Sequence, residues 1–131
     1  MNELAATLRQ QLWRAYRALV PTLRRLQRAA PMVQGSCYLQ RSRCGKANCR
    51  CARGQLHEAW VITRSEQGRH RLYMVPVAER GRLRTLTGEY RRYQRARAVL
   101  GRRHLHLLAL VDQMAEQRRL TWPPNPEVSH A

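Results

Sequence analysis

Residues 35–77 read GSCYLQRSRCGKANCRCARGQLHEAWVITRSEQGRHRLYMVPV, and this stretch decides the fold. Two runs in it, 59–64 and 69–75, are rich in β-branched and aromatic residues, and the turn-forming segment 65–68 separates them. An earlier run, 36–43, alternates apolar with polar residues. The stretch therefore predicts three short antiparallel strands, with a hairpin between the last two and a cysteine-rich loop between the first two.

The cysteine-rich loop carries a candidate metal site. Three thiols and an imidazole fall within fourteen residues, at Cys44, Cys49, Cys51 and His57. Zinc takes four such ligands in a tetrahedron, and Gly45 and Gly54 allow the backbone to turn tightly. The spacing is Cx4C followed by CxC instead of the common CxxC. On a regular strand Cys49 and Cys51 would lie about 7 Å apart, so the backbone must curl to bring them together.

Other interpretations of the cysteines stay open at this point. Cys37 is a competing fourth ligand, but its place beside Leu39 on a strand also suits a buried apolar thiol, and we expect His57 instead. Reduced structural cysteines without a metal, or a disulfide or redox role, are the alternatives to zinc.

Residues 1–20 carry four charges and no apolar signal core, so we expect a cytoplasmic protein, nucleoid-associated when bound to DNA. Clustered cysteines in that reducing compartment bind metal more often than they form disulfides.

Helical periodicity flanks the cysteine-rich stretch on both sides. In 3–30 apolar residues recur every three or four positions, with Tyr16 and Leu23 on the stripe. Pro21 should kink or restart this helix, and Pro31 should end it.

The segment 78–119 predicts a long helix with a heptad seam, on which Arg97 and His104 are polar positions. Gly101 is a candidate break that would turn this helix into a hairpin. The seam could close on helix 3–30, on a second copy of the chain as a homodimer, or on both. The residues predicted to form an interaction seam are Leu83, Leu86, Tyr90, Tyr93, Leu100, Leu107, Val111 and Met114.

These elements predict an α+β fold. It consists of an N-terminal helix, a small three-stranded antiparallel sheet with a zinc loop, and a long C-terminal coiled-coil helix. We expect one helix–β–helix domain over 1–122, with the sheet region at 35–77, followed by a disordered tail at 123–131.

Charge points to a polyanionic partner. The chain has 131 residues and carries 25 basic against 8 acidic side chains, a formal net charge of +17. Nucleic acid is the simplest partner for such a surface, and no run of about 20 apolar residues exists to cross a membrane. Bidentate arginines suit phosphates and guanine edges. The candidate nucleic-acid-binding residues are Arg41, Arg43, Lys46, Arg50, Arg53, Arg64, Arg69 and Arg71.

We expect duplex DNA to be favoured over RNA as the ligand. An RNA-binding module of a ribonucleoprotein is the first alternative, and a coiled-coil scaffold for protein interactions is the second. Catalysis is not expected, because the sequence offers no paired carboxylates, no Ser/His/Asp arrangement and no phosphate-cradling glycine loop.

The segment from Gly35 to the long helix resembles an uncharacterised family of small basic bacterial and archaeal proteins. That family has the signature CGKxxCxCxxGxxH between an N-terminal helix and a C-terminal coiled coil, and the resemblance covers about 10–118. Where the family continues after the histidine with Gly-Pro, this chain has Glu58-Ala59. The resemblance implies that the three loop cysteines and His57 act as a unit, and it suggests a link with mobile elements. We hypothesise that the protein assists a recombinase or transposase of such an element. The matching residues are Cys44, Gly45, Lys46, Cys49, Cys51, Gly54 and His57.

Overall fold

A computed structural model describes residues 3–124. It contains the helix α1 (Glu3–Leu26), three strands β1 (Ser36–Ser42), β2 (His57–Glu66) and β3 (Arg69–Met74), and the long helix α2 (Arg80–Arg118). Short 3-10 turns occupy Arg50–Arg53 and Val77–Glu79. The predicted fold class is thereby confirmed.

The three strands form one antiparallel sheet in the order β1-β2-β3. The register places Cys37, Ile62 and Tyr73 in one row across the strands, so their side chains share a face. Val61, Ile62 and Thr63 are consecutive and all buried. Since neighbouring side chains point to opposite faces, both faces of the central strand are covered at this point.

Contacts group the chain into two compact units. One consists of residues up to Gln27 with residues from Ala96 onward, and the other consists of residues 28–95. The single domain expected over 1–122 stays a prediction, and the predicted tail lies mostly outside the described residues. Within 3–124, no helix is long and apolar enough to span a bilayer.

The helical unit has a core of Leu8, Ala15 and Leu110, on which Leu107 and Met114 also pack. Leu8 lies near the start of α1 and Leu110 lies near the end of α2. Further along α1, the Ala18 carbonyl accepts a 2.6 Å hydrogen bond from Arg103 Nη1. The two helical segments therefore run antiparallel in this unit.

Packing in this unit follows heptad spacing and keeps part of the predicted stripes, but it is shifted by one position at several points. On α1, Ala15 and Thr22 are buried, whereas Tyr16 and Leu23 are exposed. Small and polar residues permit close approach of two helices, yet they contribute little to an apolar pattern read from sequence.

α2 shows the same shift. Ala96 and Leu110 are buried, and the predicted seam residues Tyr93 and Val111 are exposed. The other predicted seam residues are half-buried, namely Leu83, Leu86, Tyr90, Leu100, Leu107 and Met114. A homodimer through these positions stays a prediction.

Two expectations about the helices are wrong. α1 ends at Leu26 and not at residue 30. Pro31 restricts only Ala30, so the proline does not set this earlier end. α2 continues through Gly101 without forming a hairpin. A glycine destabilises a helix by about 1 kcal/mol. Packing of the apolar face on either side of Gly101 stabilises α2 by more than this amount, so the helix continues. α1 continues through Pro21 without restarting, and the kink that Pro21 should cause stays a prediction.

Candidate metal centre and basic surface

The candidate metal ligands come together at the end of the sheet where β1 ends and β2 begins. They are Cys44, Cys49, Cys51 and His57. Their four ligand atoms all lie within 4.8 Å of one another. Cys44 Sγ is 3.5 Å from Cys51 Sγ, and Cys49 Sγ is 3.2 Å from His57 Nε2. Thiolates bound to one zinc ion lie about 3.7 Å apart. The four residues therefore form a compact set of ligands that could hold a metal ion.

The loop backbone curls through a 3-10 turn at Arg50–Arg53, and this turn makes the CxC spacing usable. The amide of Ala52 donates to the Cys49 carbonyl at 3.1 Å, and Gly54 closes the turn in the left-handed region with φ 101°. An extended segment would hold the two sulfurs farther apart. The loop backbone therefore has the curl that the CxC spacing requires.

The pKa values of the Cys44 and Cys51 thiols shift in opposite directions. The amide of Cys44 donates to Cys51 Sγ at 3.3 Å, and this is the main reason why the pKa of the Cys51 thiol is lowered to about 7. The pKa of Cys44 is raised. A hydrogen bond with the Lys46 backbone lowers it, but the hydrogen bonds shared with the Cys51 and Cys49 thiols, together with desolvation, outweigh that contribution. Cys51 is the buried member of the set, at 1% exposure, and the thiolate is the form that binds metal.

Cys37 does not belong to the set of close ligands found within the described residues. It lies on β1 opposite Ile62, half-buried in the sheet. Desolvation raises the pKa of its thiol, against the opposing influence of Arg84 and Arg80. The structure thus brings His57, and not Cys37, to the three loop cysteines.

The eight basic residues predicted to bind nucleic acid do not form one patch. They fall into two groups separated by about 20 Å or more along β2, since Arg64 lies six positions along the strand from Glu58, the residue opposite Arg41. The loop cluster lies at the metal end and comprises Arg41, Arg43, Lys46, Arg50 and Arg53. The hairpin cluster lies at the β2–β3 turn and comprises Arg64, Arg69 and Arg71.

The two clusters differ in how far acids neutralise them. In the loop cluster, Arg41 pairs with Glu58 at 3.2 Å, and the other four members are exposed with no ion pair in residues 3–124. In the hairpin cluster, Arg64 and Arg71 both pair with Glu66. The loop cluster therefore presents the larger unneutralised positive charge.

Two basic residues that are not among the predicted binding residues lie over Trp60 of β2. The guanidiniums of Arg80 and Arg84 each lie 5.1 Å from the centre of the Trp60 ring. Because four positions separate Arg80 from Arg84, both lie on one face of α2. This i,i+4 spacing is the feature of the sequence from which a shared contact with an aromatic ring could have been predicted. Trp60 is half-buried beneath them, whereas Tyr38 is exposed on β1.

Comparison with known proteins identifies the family without a function. Neither a curated protein nor a solved structure matches the chain. One family model, described as a domain of unknown function, matches residues 7–85. That range includes most of α1, the whole sheet, the candidate metal loop and the start of α2. The chain therefore belongs to the DUF6788 family.

Proposed function

We propose that this protein is a zinc-stapled, nucleic-acid-binding accessory protein whose ligand is duplex DNA. The observation that carries the proposal is the loop cluster. Four exposed cations, Arg43, Lys46, Arg50 and Arg53, surround a closed set of metal ligands and have no acidic partner in residues 3–124. Exposed arginines of this kind neutralise backbone phosphates.

Zinc is the metal that suits this donor set. Three thiolates and one imidazole satisfy its preferred tetrahedron and leave no open position for substrate, which supports a structural role. Such an ion would fasten the loop to the first residue of β2, because His57 begins that strand. It would thereby fix the positions of the loop arginines relative to the sheet.

Assistance to a recombinase or transposase is the finer part of the proposal. It rests on the link with mobile elements that the resemblance to an uncharacterised family suggests. Phosphate contacts fix position and orientation but do not read sequence, so a protein of this kind would load or bridge DNA for an enzyme that performs the chemistry.

The test is a matched pair of triple variants. Arg43→Ala/Arg50→Ala/Arg53→Ala removes three charges from the loop cluster. The control variant, Arg91→Ala/Arg95→Ala/Arg102→Ala, removes three exposed charges from α2 that likewise have no ion pair within the described residues. Duplex DNA affinity is measured for each across a salt series, with bound zinc quantified in the same preparations.

The loop variant should lower the slope of log affinity against log salt by about 3, close to one unit per lost phosphate contact, and the control should leave the slope unchanged. Zinc should be present at one per chain in both variants. It should be lost in Cys51→Ser and retained in Cys37→Ser. Equal losses of DNA affinity in the two triples would contradict a localised interface. Preferential binding of a structured RNA over a duplex of matched length would favour the RNA-binding alternative.

A further inference from the structure

A second polar site lies at the other end of the sheet, away from the metal loop. Where the β2–β3 hairpin turns, an open cleft is lined by seven polar residues and no apolar one. Three of these are the arginines of the hairpin cluster, one is Glu66, and the others include Gln34 and Gln67. The lining offers many hydrogen-bond donors and no surface on which an aromatic ring could be buried.

The strand register concentrates positive charge on one side of this cleft. Arg64 lies directly opposite Arg71, and Glu66 lies directly opposite Arg69. All four side chains therefore share one face of the sheet. Like charges placed opposite each other on adjacent strands are unfavourable, so the Arg64–Arg71 pairing needs negative charge nearby.

Glu66 supplies one negative charge, and its bonds are already committed. It accepts a hydrogen bond from the Tyr73 hydroxyl at 2.8 Å and one from Arg64 Nε, whose guanidinium also lies 5.0 Å from the centre of the Tyr73 ring. Arg71 Nε reaches the other carboxylate oxygen at 3.9 Å. Arg69 has no ion pair in residues 3–124. Three guanidiniums and one carboxylate leave a charge of +2, carried mainly by Arg69 and Arg71.

The turn that closes the cleft adds a donor. Gln67 and Gly68 both have positive φ, 51° and 79°, and form the two-residue connection between the strands. Glycine, asparagine and aspartate are the usual residues in the first of these positions, and glutamine is not. The Gln67 side chain lines the cleft, where its amide can donate to an anion.

We propose that this cleft binds a phosphomonoester dianion. Its two charges match the +2 left by the cleft residues, and planar guanidiniums suit the paired oxygens of a phosphate. A phosphodiester carries a single charge and would leave half of the excess unmatched. The site goes beyond the proposed DNA-binding function, which depends on the loop cluster.

The dianion has two sources, a free small phosphate ester or the 5′-terminal phosphate of a nucleic-acid strand. AMP and adenosine are the probes for the first source, titrated calorimetrically into the full chain at physiological salt and pH 7.5. Duplexes with a 5′-phosphate or a 5′-hydroxyl end are the probes for the second. Arg69→Gln is the test variant, and Arg95→Gln, an exposed helix arginine with the same charge change, is its control.

AMP should bind saturably and adenosine should not. Arg69→Gln should weaken AMP binding about tenfold or more, as expected for loss of a charged hydrogen bond, while Arg95→Gln leaves it unchanged. A 5′-phosphate that increases duplex affinity in the parent and not in Arg69→Gln assigns the site to strand ends. AMP binding without that increase assigns it to small phosphates.

The proposal is overturned if AMP does not bind saturably, if adenosine binds equally well, or if the two variants weaken AMP binding equally. Thermal unfolding of Arg69→Gln checks that the exposed substitution leaves the fold intact. The loop triple Arg43→Ala/Arg50→Ala/Arg53→Ala should retain AMP binding, so failure of the DNA-binding proposal is distinguishable from failure of this one.

Discussion

At the residue scale, Glu66 makes the stability of the hairpin depend on pH. Its hydrogen bond from Tyr73 and its contact with Arg64 hold the pKa of the carboxyl below its usual range. A carboxyl with a depressed folded pKa contributes stability that is present above the unfolded pKa and disappears as pH falls through the folded value.

Glu66→Gln should therefore lower the Tm at pH 7, and the difference from the parent should hold down to the ordinary glutamate pKa of about 4.3. Below that pH the difference should narrow steadily as the parent carboxyl protonates. Thermal unfolding between pH 7 and pH 3 measures this difference. Tyr73→Phe should also have a lower Tm than the parent at pH 7, and this smaller Tm difference should narrow in the same direction as pH falls. A Tm difference that stays constant down to pH 3 would refute the assignment.

The grouping of the candidate metal ligands could be predicted from sequence because their signal is local. Cys44 and His57 are thirteen positions apart, and Gly54 marks the turn that brings Cys51 and His57 together. The hairpin cleft could not be predicted, because it depends on strand register. A slip of one residue would move Arg64 or Arg71 to the opposite face, and sequence alone does not fix pairing to that accuracy.

At the element scale, glycine substitutions in residues 28–95 test how backbone conformation and helix propensity affect stability. Gly88 lies inside α2 and Gly68 lies in the hairpin turn, and a Cβ at either position would meet nothing within 4 Å. The two sites differ in backbone angle, because Gly68 has φ +79° whereas Gly88 is helical. The two positions therefore differ in backbone conformation and not in the space available for a side chain.

Gly88→Ala should raise the free energy of unfolding by about 1 kcal/mol, the difference between the helix propensities of the two residues. Gly68→Ala should lower it by about 1 kcal/mol, since an L-residue is strained in the left-handed region. Denaturant unfolding followed by circular dichroism measures both. A change of the same sign in both variants would show that packing, and not backbone conformation, controls these positions.

The length and continuity of α2 also show where sequence patterns lose accuracy. The predicted and observed packing rows share Leu100, Leu107 and Met114. At the other positions the observed row has Ala96, Arg103 and Leu110, where the predicted row has Arg97, His104 and Val111. An ideal helix drifts by about 20° per heptad relative to a strict seven-residue repeat. Over five heptads this drift adds up to about 100°, which is the angle between successive residues of a helix, so a shift of one position is expected. Partner contacts such as that of Arg103 with the Ala18 carbonyl decide where the shift falls.

At the scale of the whole molecule, the two compact units should respond differently to removal of the metal. The proposed zinc ligands all fall within residues 28–95, and that unit contains the sheet. The helical unit, built from α1 and from α2 beyond Ala96, has its own core around Leu8 and Leu110. Metal binding adds directly to the folding free energy of the unit that holds the ligands.

Chelation of zinc should therefore accelerate amide hydrogen exchange in β1 and β2 by about a hundredfold or more and leave the buried face of α1 protected. Cys51→Ser should reproduce the faster exchange without chelator, and Cys37→Ser should not. Restoring zinc should return protection to the parent protein and fail to do so in Cys51→Ser. Equal acceleration in the sheet and in α1 would mean that the two units unfold as one, and unchanged exchange in the sheet would mean that the cysteine cluster does not stabilise it through a metal.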